Sequence, residues 1–238
     1  MLQDYRTALV TGGSSGIGRD IALALAGAGI KTVILGRDRA RLEQVQALHP
    51  AAIYPVVCDV ARYDQVRQAV RTALDVLQSV DILVNCAGVS MREPLKVGEI
   101  DPAEIDRIID TNLKGVFYLC QEVLPAMAGA GRGYVINILS TAAYAAGAGA
   151  SVYSASKFGA RAVTEAIDAE YRHCGIRVSA VSPGPVDTAI WTHKKKQPDP
   201  ALRQTFMRPE TITQTVLYLL ELPQDVIVDN ILIKPISI

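Results

Sequence analysis

Thr7-Ala8-Leu9-Val10-Thr11-Gly12-Gly13-Ser14-Ser15-Gly16-Ile17-Gly18 passes from a short apolar run, through a cluster of glycines, into an Ala/Leu-rich helical pattern that ends at Gly29. A strand, a tight turn and a helix start follow one another within a dozen residues. Glycines at this junction let the backbone turn sharply and approach a pyrophosphate. The helix that opens at Ile17 then offers unpaired amide donors and the positive end of its dipole. The spacing of Gly12, Gly16 and Gly18 is neither the general G-x-G-x-x-G pattern nor a Walker A loop, which needs a following Lys-Ser/Thr. As a bare cluster these glycines are only a turn; between a strand and a helix they point to phosphate binding, with Ser14, Ser15 and Ile17 in the same loop.

Moving outward, strand-like runs alternate with helical ones. Strand candidates occupy residues 7–10, 32–35, 53–58, 81–85, 133–139, 177–182 and 226–233. Helical patterns lie at 17–28, 38–48, 63–77, 101–128, 152–173 and 210–220. Asp101-Pro102 reads as an N-cap followed by proline in the first turn. Near-continuous apolar strands separated by helices describe a parallel sheet covered on both faces. Right-handed crossovers make it a doubly wound, three-layer α/β/α arrangement of about seven strands. Residues 188–208, with Pro198, Pro200 and Trp191, form the least regular stretch, between a strand end and a helix where a substrate lid can sit. The chain of 238 residues suits one domain over residues 1–238.

Composition narrows the function classes. Lysine plus arginine equals aspartate plus glutamate at 24 each, so no basic excess points to nucleic acid. Lys194-Lys195-Lys196 is short and reads as a solvated loop. No apolar stretch reaches the length of about 18 residues that a membrane helix needs. The start, from Met1 to Arg6, lacks the charged and apolar regions of a signal peptide. Cys58, Cys86, Cys120 and Cys174 show neither C-x-x-C nor zinc-ligand spacing, and no metal site is expected. Free thiols suit a reducing, cytoplasmic compartment. His49, His173 and His193 show no ligand spacing and are assigned no chemistry.

The chemistry-bearing pair is Tyr153 and Lys157. Residues at i and i+4 share a helix face, so a phenol and an ammonium point into one space. A tyrosine titrates at about 10, and a cation beside it favours the phenolate. Such a phenol exchanges a proton with a carbonyl or alcohol oxygen. On an arbitrary helix the pair is a solvated one. Ser140 upstream and the glycine turn change that weight. Arg37 lies about 20 residues beyond the glycines, where the residue that reads the adenosine ribose is expected. An acid there accepts from a 2′-hydroxyl; an arginine pairs with a 2′-phosphate. Asp38 blurs the choice, and Arg37 with Arg39 also fits an exposed helix start. Met91, Tyr144, Trp191 and Phe206 either border a substrate or pack beneath the lid.

Together these residues resemble the short-chain dehydrogenase/reductase family in its single-domain form, along nearly the whole chain. Thr11–Thr188 carry the likeness in order. Residues 11–18 match the TGxxxGIG turn. Asp59, followed by Val60, matches the acid beside the adenine. Asn85-Cys86-Ala87-Gly88 matches the NxAG segment, which supports the sheet and borders the cofactor. Asn112, Ser140, Tyr153 and Lys157 match the catalytic set, and Pro183-Gly184-Pro185-Val186-Asp187-Thr188 the PGxVxT turn. The resemblance implies a Rossmann-like fold and NAD(P)(H)-dependent interconversion of a small-molecule carbonyl and secondary alcohol by hydride transfer, NADP(H) being favoured over NAD(H) by Arg37. It implies Tyr153 as acid/base, Ser140 as donor to the substrate oxygen, Lys157 on both phenol and nicotinamide ribose, and Asn112 holding a water that links Lys157 to solvent. It also implies a homodimer or homotetramer with helices around Asn112 and Tyr153 packing across subunits. Leu139 stands where many relatives have serine, and residues 229–235 lack the usual Asp-Gly-Gly ending. The alternative is a catalytically silent regulatory or scaffold protein that keeps the cofactor fold; a lyase, epimerase or isomerase reading leaves little room for the larger substrate domain.

Overall fold

The computed structural model describes residues 4–237. Met1, Leu2 and Gln3, part of the start read above for a leader, lie outside the described residues, as does Ile238. The elements run β1 (Thr7–Thr11), α1 (Gly16–Gly27), β2 (Lys31–Gly36), α2 (Arg39–Gln46), β3 (Ile53–Val57), α3 (Tyr63–Leu77), β4 (Ile82–Asn85), α4 (Pro102–Ile109), α5 (Gly115–Ala130), β5 (Gly133–Ile138), α6 (Ser151–Tyr171), β6 (Ile176–Pro183), α7 (Pro200–Arg203), α8 (Pro209–Glu221) and β7 (Asn230–Ile233). All seven strands are parallel, in the order β3-β2-β1-β4-β5-β6-β7. This is a Rossmann-like sheet.

Alternation along each strand feeds two cores. Ala8, Val10, Ile34 and Ile136 pack on α1, α2 and α8, whereas Leu9, Val33, Leu83 and Val135 pack on α3, α5 and α6. The chain winds one way from β1 to β3 and the other way from β4 onward, so a crevice opens above the carboxyl ends of β1 and β4.

At the opposite end of the sheet, Asp81 sets the β1–β4 register. Its buried carboxylate accepts from the amides of Arg6 (2.7 Å) and Thr7 (3.1 Å) and pairs with Arg132 at 2.6 Å. Asp81→Ala strands both amides and is expected to lower unfolding stability by about 3 kcal/mol in urea melts; a loss below about 1 kcal/mol would show that water replaces the carboxylate there.

Three boundaries differ from the sequence expectation. The helix read as continuous over 101–128 is interrupted by a π-helical turn at Asp110–Lys114. The last strand begins at Asn230 rather than at Val226. The carbonyls of Pro223 and Val226 accept from the Arg177 guanidinium, and that of Val228 from the Ser179 hydroxyl, so side chains of β6 take the groups a ladder would have used. Residues 188–208, read as irregular, hold a 3₁₀ turn at Ala189–His193 and the short α7. Met207 pairs back to Pro185 and Asp187, which closes the base of this excursion.

Candidate active site

The crevice is a cavity of about 910 Å³. Its first wall is the glycine turn. Gly12 has φ +68°, and a side chain there would begin 3.0 Å from the Cα of Ala87. A side chain at Gly18 would begin 2.6 Å from the Gly12 carbonyl oxygen, so the turn can close only with hydrogen in that place. The Thr11 hydroxyl accepts from the amides of Cys86 and Ala87, both at 2.9 Å, and thus straps the turn to the end of β4. Ser15 precedes α1 in extended conformation, its hydroxyl does not cap the helix, and the first turn contains no acid. The leading amides of α1 therefore face the cavity beside Ser14, Ser15, Gly16 and Ile17 without a protein anion to satisfy them.

The second end is rimmed by Arg37, Asp59 and Val60. Asp38, which competes with Arg37 in the sequence, is engaged elsewhere. One carboxylate oxygen accepts from the Arg41 amide (3.1 Å) as the α2 cap, and the other lies 3.2 Å from the Arg41 guanidinium. Arg37 forms no ion pair among the described residues and stays exposed on the rim.

The third wall gathers residues far apart in sequence. Tyr153 and Lys157 on α6, Ser140 after β5, and Ala87 and Gly88 after β4 all face the cavity, with Pro183, Gly184, Val186 and Thr188 opposite them. Ser140 caps the 3₁₀ turn Thr141–Ala143, its hydroxyl accepting from the Ala142 amide at 3.1 Å, and shares the cavity lining with Tyr153. The buried Lys157 donates from Nζ to the Ile138 carbonyl at 3.0 Å.

Two expected site residues do not reach this space. Asn85 is buried in the sheet, where its amide donates to Asn137 Oδ1 at 2.8 Å across the β4–β5 pair. Asn112 sits in the π turn with both amide hydrogens spent, on the Val89 carbonyl (2.9 Å) and Ser156 Oγ (3.0 Å), while its Oδ1 accepts from the Val89 amide (2.8 Å). Ser156 in turn donates to the Tyr153 carbonyl at 2.7 Å. The side chain of Asn112 thus fastens the β4 loop to the Tyr153 turn of α6, which leaves little of it for the water expected there.

A family model described as short chain dehydrogenase matches residues 6–199. The chain belongs to the short chain dehydrogenase family. An uncharacterized oxidoreductase of Staphylococcus saprophyticus is 34% identical, over 99% of both chains. Among solved structures, a metagenomic short-chain oxidoreductase in complex with NADP aligns with a TM-score of 0.83 at 30% identity, covering 97% of this chain and 96% of that one. The 3-ketoacyl-(acyl-carrier-protein) reductase of Brucella melitensis, complexed with NADH, aligns at 0.85 and 27% identity, covering 95% and 96%.

In this short chain dehydrogenase, burial dominates the electrostatics of the site. Burial pushes the Tyr153 phenol above its ordinary value, and the nearby Ser140 hydroxyl opposes this only in part. The expected acidification by Lys157 is not what sets the direction: its Nζ lies 6.0 Å from the Tyr153 ring centroid and is turned to the Ile138 carbonyl. Burial likewise pulls Lys157 down to about 8 and pushes Cys86, beside it in the cavity wall, up to about 12.

Three cavity residues escaped the sequence reading. Lys194, read as part of a solvated run, is half-buried and donates from Nζ to Ser90 Oγ at 3.1 Å. Arg107 and His193 join it in the lining. No motif marks them, because they meet only once the lid folds over the β4 loop. Trp191 also lines the cavity and stacks on Phe206 at 5.0 Å, while Met91 is buried in a small cluster with Ile108 and Val152, and Tyr144 lies under Arg161. No group of three or more metal-ligating side chains occurs among the described residues, and no helix among them is long and apolar enough to cross a membrane.

Proposed function

We propose that this oxidoreductase interconverts a carbonyl and a secondary alcohol with NADP(H), using Tyr153 as the acid–base group. The observation that carries the reading is the gathering of Ser140, Tyr153 and buried Lys157 on the same cavity as the uncapped α1 terminus.

The residues present fit a dinucleotide. Gly12, Ser14, Ser15, Gly16, Ile17 and Gly18 would hold the pyrophosphate, Asp59 and Val60 the adenine, and Arg37 the 2′-phosphate. Ala87, Gly88, Pro183, Gly184, Val186 and Thr188 would border the nicotinamide half. The bound nicotinamide supplies or accepts the hydride. Tyr153 gives its phenolic proton to the carbonyl oxygen as negative charge develops there, and Ser140 donates a hydrogen bond to the same atom. Lys157 presents an ammonium to the phenol and to the ribose hydroxyls. Asn112 acts as a positioning residue through Val89 and Ser156. Residues 1–238 work as one domain, with 188–208 as the substrate lid. Phe117 and Phe158, exposed on α5 and α6, support assembly into a dimer or tetramer through those helices, and four free thiols suit a cytoplasmic setting.

The test is a panel of ketones and secondary alcohols assayed by absorbance of the reduced cofactor, with NADPH and NADH side by side. With Asp38 held by Arg41 and Arg37 unpaired, the wild type should favour NADP(H) about tenfold to a hundredfold in kcat/KM, the range of a charge-assisted hydrogen bond. Arg37→Asp should move that ratio toward NAD(H). A wild-type preference for NAD(H), or an unmoved ratio in the variant, overturns the assignment.

A further inference from the structure

Lys194 and its neighbours point to a property of the substrate itself, an inference that rests on the carbonyl/alcohol reading above. The lid crosses to the loop after β4 through two contacts beside it. The Lys195 amide donates to the Arg92 carbonyl at 2.8 Å, and the Lys195 ammonium pairs with Glu93. These bring Lys194 over Ser90, two residues beyond Gly88, on the substrate side of the cavity that Tyr153 and Ser140 also line.

The charges here do not cancel. Glu104 forms a two-pronged pair with Arg107 (2.8 and 2.7 Å) and lies 3.9 Å from Arg92, while Glu93 is taken by Lys195. Lys194 is left with no carboxylate within ion-pair distance among the described residues. The cluster therefore holds two carboxylates and four cations, in a protein whose formal net charge is zero. Burial holds the Lys194 ammonium below its ordinary lysine value, as expected of a cation partly stripped of water and not yet paired. The indole of Trp191 lies 5.8 Å from Nζ and closes the other side.

Donor capacity suggests which anion. Lys194 carries three N–H donors and spends one on Ser90 Oγ; Ser90 accepts there, so its own O–H is free to donate. Arg107 is bound to Glu104 and to the Ser90 carbonyl. One ammonium and one hydroxyl, side by side, match the two oxygens of a carboxylate. We propose that the substrate is an oxo acid or its hydroxy acid, held by its carboxylate on Lys194 and Ser90 while its carbonyl or alcohol oxygen meets Tyr153 and Ser140.

The test uses a series of oxo acids of increasing length, 3-oxobutanoate, 4-oxopentanoate and 5-oxohexanoate, each against its methyl ester. In the wild type at least one acid should exceed its ester about tenfold or more in kcat/KM. Lys194→Gln, which keeps a donor for Ser90 but loses the charge, should cut that acid-to-ester ratio about tenfold, mainly through KM, and Lys194→Arg should restore most of it. Equal ratios in wild type and Lys194→Gln would make Lys194 only a latch of the lid and overturn the inference, as would turnover of esters and neutral ketones in preference to every acid. Neither of those results touches the carbonyl-reductase reading. Failure of every carbonyl with both cofactors would sink that reading instead. The carboxylate site is then decided by calorimetric titration of the same acids into protein saturated with oxidised cofactor, where no reaction occurs: binding to wild type about tenfold tighter than to Lys194→Gln supports it, and equal binding overturns it.

Discussion

Tyr153→Phe is expected to lower kcat about 10²–10⁴-fold, the usual worth of a positioned acid–base group, with cofactor affinity nearly unchanged. The ring remains, so α6 keeps its packing. Only the phenolic oxygen facing the cavity is removed. Because burial already holds the phenol protonated, the variant loses a proton donor rather than a charge, and folding stability should change little. Steady-state kinetics on the best substrate, paired with fluorescence titration of the reduced cofactor, measures both arms. A variant that keeps more than a few per cent of wild-type kcat would show that another group supplies the proton.

Lys157→Met should move function and stability in opposite directions. Loss of the ammonium removes a donor proposed for both ribose and phenol, so cofactor affinity and kcat should each fall, together about a hundredfold in kcat/KM. The folded protein, by contrast, carries this cation at a cost, since its one hydrogen-bond partner among the described residues is the Ile138 carbonyl. The sign follows from the depressed titration at about 8 against an ordinary 10.5. Between those values the unfolded chain holds a proton that the folded protein has released, so the Lys157 contribution to stability rises with pH across that window and its penalty is complete below about 8. A methionine of similar reach removes that penalty, so Lys157→Met should be more stable than wild type at pH 7 by up to about 3 kcal/mol. Cys58, Cys86 and Cys120, pushed up to about 12, give the opposite slope above pH 9. The difference between wild type and variant cancels most of this. Urea melts at pH 7 and pH 10 should show the gap closing as pH rises. A variant less stable than wild type at pH 7 would mean that the ammonium is better solvated than its burial indicates.

The order of strands and helices was legible because each segment states its own partner surface. Apolar runs such as Leu9–Val10 and Leu83–Val84 suit only a sheet covered on both faces, and Gly12, Gly16 and Gly18 suit only a backbone that passes close to another backbone. The Tyr153–Lys157 spacing, with Ser140 at a strand end, was likewise local information. The sequence said least where a side chain works at long range. Asn85 and Asn112 fall at family positions, yet their amides are consumed by Asn137, Val89 and Ser156, partners brought there by the β4–β5 pairing and by the π turn. The early start assigned to β7 failed for the same reason, since Arg177 and Ser179 reach across to the carbonyls before it.

By itself, then, the sequence determined the doubly wound architecture, the glycine turn between β1 and α1 and most of the residues that line the cavity, because hydrophobic period, glycine geometry and i, i+4 spacing are properties of neighbours in the chain. Only the tertiary structure decided how charge is distributed over them. It showed Asp38 spent on Arg41 and Arg37 left unpaired. It turned Lys157 to the Ile138 carbonyl, and it carried Lys194 out of an apparently solvated run to a half-buried place over Ser90. Burial and pairing depend on which distant groups the fold brings within a few ångströms, and no local pattern encodes that.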